Sequence, residues 1–100
     1  MAMNTDMQLF QAAAIVCEHV ARMKMPILHA EKSEPDDDSD SGWQFLCGAE
    51  KEDWHKAQVW ALHEVLAEDS SLIAFMGKPP GTVLTRSNPN QPWQVSLKRL

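Results

Sequence analysis

The side chains with chemistry to offer crowd into one stretch, where Asp36, Asp37, Asp38 and Asp40 lie between Glu34-Pro35 and Ser41-Gly42-Trp43. Clustered carboxylates can hold calcium, and their spacing tests it. An EF-hand loop needs oxygen ligands at positions 1, 3 and 5, glycine at 6 and a bidentate glutamate at 12. With Gly42 as the glycine, the first ligands fall on Asp37, Ser39 and Ser41, but the closing position holds Gly48. Starting at Asp36 puts Ser41 at the glycine position and Cys47 at the last. Neither frame supplies the closing carboxylate, so weak and irregular cation binding is the most this cluster offers.

The remaining reactive residues are scattered. Cys17 and Cys47 are too few for a disulfide framework and do not form a metal-type pair. Cys17 and His19, placed on one helix, would face different ways. His63-Glu64 begins like a zincin motif, but Ala67 stands where the second histidine belongs. His55 and His63 can share a helical face, yet nothing at suitable spacing completes a ligand set. Gly77-Lys78-Pro79-Pro80-Gly81 reads as a turn, because prolines lack the N–H groups that a phosphate-binding loop needs. No nucleophile, base and orienting group assemble. The expectation is a binding protein, not an enzyme, with no catalytic residue, cofactor or metal.

Asp40-Ser41-Gly42-Trp43 is the most distinctive feature that remains. An Asp or Ser side chain can bond the backbone N–H two residues on, and glycine allows a positive φ. Trp43 then enters a strand. Two readings stay open: a structural turn leading to a core tryptophan, or a turn that presents Trp43 and its neighbouring carboxylates as a recognition surface.

The elements that must position this turn follow from periodicity and breakers. Leu9, Ala13, Val16, Val20 and Met23 recur at steps of three and four, which predicts a helix over 6–24 with a Thr5/Gln8 capping box, stopped before Pro26. A short strand over 26–32, an exposed acidic loop over 33–41 and a strand from Trp43 to Cys47, ended by Gly48, predict an antiparallel hairpin. Residues 50–69 predict one or two short helices, although Gln58-Val59-Trp60 also fits an extended segment. A helix capped by Ser70 or Ser71 follows to Met76, then strands at 82–86 and 93–97 around the Asn88-Pro89-Asn90 turn. The sum is an α+β two-layer fold, with helices packed on an antiparallel sheet of about four strands.

One hundred residues allow one core, hence a single domain over 1–100. The net charge of −5 is unevenly spread: residues 1–50 carry nine acids against three bases, and no acid follows Asp69. Nucleic-acid binding needs clustered Lys and Arg, so none is expected. An acidic segment instead favours a protein partner with a basic surface. With four Trp in the chain, Trp43 or Trp54 could anchor such a contact. Ala12 to Cys17 is the longest apolar run, too short to cross a bilayer, and Met1 to Phe10 lacks a signal-peptide pattern. The expected compartment is the cytoplasm, with no membrane association, and the expected state is a monomer or weak homodimer.

Asp40-Ser41-Gly42-Trp43-Gln44-Phe45, then Gly48 and Glu50, resembles the signature of immunity protein family 33. Leu72, Phe75-Met76, Pro80-Gly81-Thr82 and Arg86 are similar to that family's later motif. Gln44, Cys47 and Ser71 depart from its usual residues. The resemblance implies a bacterial α+β protein that binds and neutralises a cognate toxin, without catalysis; the leading expectation built on it is a secreted or contact-dependent toxin neutralised by occlusion. Asp36, Asp37, Asp38, Asp40, Trp43 and Trp54 would then be partner-binding candidates. Ser41, Gly42, Phe45, Gly48, Gly81 and Arg86 would be structural. The alternative is a small accessory or regulatory protein-binding domain with no toxin partner.

Overall fold

Six strands form one mixed sheet in a computed structural model that describes residues 9–48 and 54–98, the Trp54 side chain excepted. In chain order they are β1 (Ala13–Val16), β2 (His29–Lys32), β3 (Asp40–Leu46), β4 (Gln58–Ala61), β5 (Thr82–Thr85) and β6 (Gln94–Leu97). The sheet runs β4-β1-β3-β2-β5-β6. Helix α1 (Glu18–Met23) follows β1, and α2 (Leu62–Glu68) follows β4. Short 3-10 helices occupy Trp54–Lys56 and Ser70–Phe75. The α+β class is as the sequence predicts, with a larger sheet.

Both predicted hairpins form: β2 pairs antiparallel with β3, and β5 with β6. The helix predicted over 6–24 does not. Residues 9–11 are helical, but Ala13–Val16 leave the helical path to become β1, parallel to β3 and antiparallel to β4. The physical reason is the unbroken apolar run. A strand inside a sheet is covered on its neighbours' side and by the helical layer, and such a run fits helical spacing equally well over so few residues. The extra neighbours in the sheet overrode the helical reading. Thr5 and Gln8 lie outside the described residues. The second added strand, β4, takes up the extended alternative for 58–60.

One face of the sheet carries the core. Ala14, Val16, Ala30, Trp43, Phe45 and Leu84 point into it and meet Leu62, Val65 and Leu66 of α2 and Leu72 of the later 3-10 helix. On the opposite face Ile15 and Val59 are register partners and both exposed. Asp69, not Ser70 or Ser71, caps the 3-10 helix: its carboxylate accepts from the Ser71 N–H at 3.1 Å and the Ser71 hydroxyl at 2.6 Å. Glu64 reaches back to the Ala61 N–H at 2.9 Å and starts α2.

Candidate partner-binding surface

The β2–β3 connection is built by its own carboxylates. Asp37 Oδ1 accepts from the Ser39 N–H at 2.8 Å and the Ser39 hydroxyl at 2.5 Å. Asp40 Oδ2 accepts from the Asp36 N–H at 3.0 Å, and Asp40 Oδ1 from the Gly42 N–H at 2.9 Å. The Ser39 carbonyl accepts from the Ala13 N–H at 2.7 Å, tying the loop to β1. The hydrogen bonds from Ser39, side chain first and backbone second, hold the Asp37 carboxyl below its ordinary range by favouring the charged form. Asp36, Asp37 and Asp38 are exposed, and Asp40 is half-buried. The four aspartates therefore divide: Asp37 and Asp40 shape the loop, while Asp36 and Asp38 leave their carboxylates to solvent.

The residues that follow are framework, and they already belong to β3: the strand starts at Asp40 and not at Trp43, so the expected loop ends before Asp40. Ser41, 1% exposed, accepts from the Trp43 N–H at 3.1 Å. Gly42 has φ of 80°, and a Cβ there would lie 2.3 Å from the Ser33 carbonyl oxygen. Ser33 in turn donates its N–H to the Gly42 carbonyl at 2.8 Å, closing the hairpin. Of the two readings of this turn, the structural one holds for its tryptophan. Trp43 is 1% exposed, so its assignment as a partner anchor is corrected. Its ring stacks with Phe45 at 6.0 Å between centroids, and its Nε1–H donates to the Met76 carbonyl at 3.2 Å. A large apolar ring with one polar atom is well served by a core site that offers a carbonyl. Lys32 lies over the same ring at 5.8 Å and donates to the Lys78 carbonyl at 2.9 Å. Burial of Lys32 lowers its pKa, partly offset by Glu34.

The other residues of the motif also sit in the framework. Phe45 is fully buried. Gly48 and Gly81 both have positive φ, and Gly81 donates to the Lys32 carbonyl while accepting from Lys98. Arg86 fastens β5 to the helical layer. Its guanidinium bonds the Ile27 carbonyl through Nε and one terminal nitrogen, pairs with Asp69, reaches the Ser71 hydroxyl and lies 4.0 Å over the Trp93 ring. The Trp93 Nε1–H donates to the same Ser71 hydroxyl at 2.9 Å. This network forms one wall of an open cleft of about 610 Å³, whose other sides include Ala21, Lys24, Pro26 and Trp60. Its donors are engaged inside the protein, so Arg86 ties these segments together.

A second cluster was invisible in the sequence. Cys17 is not on a helix face: it has extended φ and ψ of −65° and 157° at the position just before α1, so it does not diverge from His19 as helical geometry required. Cys47, just past β3, comes alongside. The donor atoms of Cys17, His19 and Cys47 all lie within 4.8 Å of one another. They are the group among the described residues with the donor types and proximity to hold a metal. The missed signal was β1 itself, because only its pairing with β3 brings residues 17 and 47 together. His63 is exposed on α2, and the neighbouring Glu64 is engaged in capping, so no zincin-like pair forms.

The family described as the immunity protein Imm33 domain matches residues 14–96 of the chain. No curated protein and no solved structure matches it. Among the described residues no helix is long and apolar enough to cross a membrane.

Proposed function

The chain belongs to the Imm33 immunity-protein family, and from that premise we propose that it binds a cognate bacterial toxin in the producing cell and neutralises it by occlusion. The observation that carries this reading further is the acidic β2–β3 loop, which is exposed and already tied in place before any partner arrives. Ordering cost is a large part of what association must overcome, and a loop fixed in advance avoids much of it. Asp36 and Asp38 would meet a basic cleft directly, with Asp37 and Asp40 adding to the field that steers encounter. Such a role needs no catalysis by this chain and belongs in the cytoplasm, where the toxin would otherwise act.

Two measurements test the reading at separate levels. Co-expression with the product of the neighbouring gene should restore growth and yield a copurifying complex. Failure of both overturns the immunity role in favour of an accessory domain. Within a complex, the double substitution Asp36→Asn and Asp38→Asn should slow association roughly tenfold at low salt and flatten its salt dependence. The fold should be unaffected, because the loop's internal bonds belong to Asp37 and Asp40. An unchanged association rate would remove the loop from the mechanism and leave the immunity role standing.

A further inference from the structure

We propose that Cys17, His19 and Cys47 form a binding site for a d10 metal ion, Zn2+ in the first instance, that ties the β1–α1 junction to the end of β3. This site is independent of the toxin-binding reading. The donor set is two sulfurs and one imidazole nitrogen, a combination that selects borderline or soft ions over calcium or magnesium. Three protein donors are enough for zinc, the fourth position going to solvent or a further donor.

The distances fit. With zinc–sulfur bonds of about 2.3 Å and zinc–nitrogen bonds of about 2.0–2.1 Å, tetrahedral geometry places a sulfur and a nitrogen about 3.5 Å apart and two sulfurs about 3.8 Å apart. His19 Nδ1 and Cys47 Sγ are already 3.5 Å apart. No pair in the cluster exceeds 4.8 Å, so closing on an ion requires a contraction of about 1.3 Å at most.

The backbone holds these donors without help from the metal. The Cys17 N–H donates to the Phe45 carbonyl at 3.0 Å, which fixes Cys17 beside the last residues of β3. The Ala21 N–H donates to the Cys17 carbonyl at 2.9 Å, so the first turn of α1 starts at Cys17 and carries His19 within it. Cys17 is 1% and Cys47 4% exposed, whereas His19 is half-buried, which gives an ion a way in past the imidazole. Binding would release the thiol protons, up to two per ion, because thiolate and not thiol is the ligand.

The test uses the full chain, reduced and treated with chelator, then titrated with Co2+ as a spectroscopic stand-in. One equivalent should produce sulfur-to-cobalt charge-transfer absorption in the near ultraviolet and intense tetrahedral bands in the visible, both abolished by one equivalent of Zn2+. Zn2+ should also raise Tm. His19→Gln, at the half-buried position least able to disturb the core, should weaken affinity by at least about 100-fold. Cys47→Ser should remove most of the charge-transfer intensity, and His63→Gln on α2 should change nothing. If Cys47→Ser does not fold, as read by circular dichroism, the His19→Gln result decides alone. Absence of the charge-transfer band, an undiminished affinity in His19→Gln, or a Cys17–Cys47 disulfide that forms in air and persists in the presence of Zn2+ would overturn the proposal.

Discussion

Replacing Gly42 by alanine isolates the close approach that makes the acidic hairpin possible. Two costs are separable there. The first is conformational: φ of 80° places a residue with a Cβ in the left-handed region, which costs about 1–2 kcal/mol. The second is steric. The added Cβ would sit 2.3 Å from the Ser33 carbonyl oxygen, against a floor near 3.0 Å, and the obstacle is backbone that cannot rotate away. Moving it loosens the bond from the Ser33 N–H to the Gly42 carbonyl, worth about 1 kcal/mol. A loss of about 2 kcal/mol is expected in all, after allowing for the entropy that alanine removes from the unfolded chain. Gly48 supplies the control for strain alone, since it has φ of 84° but its Cβ would make only an ordinary contact, 3.4 Å from Leu28 Cβ. Gly48→Ala should cost about 1 kcal/mol. Gly77 has neither strain nor a neighbour within 4 Å, so Gly77→Ala should stay within about 0.5 kcal/mol of the parent. Urea unfolding followed by tryptophan fluorescence measures all three. Equal losses at Gly42 and Gly48 would refute the close approach as the reason glycine is needed, and a loss at Gly42 below about 1 kcal/mol would refute both terms.

Arg86→Lys should destabilise by about 2–4 kcal/mol in the same assay, because an ammonium cannot bond Ile27 and Asp69 and stack on Trp93 at once. Trp43→Phe should cost a similar amount, since it leaves the buried Met76 carbonyl without its donor and opens space beside Phe45. Asp37 titrates lower folded than unfolded, so its contribution to loop stability is complete above its ordinary pKa of 3.8 and is lost as pH falls through the lowered folded value. Carboxyl-detected NMR titration should show this, and Ser39→Ala should return Asp37 toward its ordinary value; an unmoved titration would remove the hydrogen bonds as the cause.

What the sequence determined by itself was local. The turn chemistry of Asp40-Ser41-Gly42, the exposure of the aspartates before it and the two hairpins depend on residues within a few positions of one another, and such signals survive without tertiary context. The family signature was legible for a related reason, since most of its residues turn out to hold the framework: Gly42 by its φ, Gly81 by backbone bonds, Arg86 by its ion pair. Tertiary structure decided the rest. Ala13–Val16 could have continued a helix, and became a strand only because β3 and β4 offered backbone partners on both sides. Trp43 could have faced a partner until the Met76 carbonyl, 33 residues away, gave its ring nitrogen a buried acceptor. Cys17, His19 and Cys47 carry no sequence motif, because their proximity is a property of strand pairing and not of spacing along the chain. Local bonds are written in neighbouring residues, whereas contacts between distant ones arise only when the sheet closes.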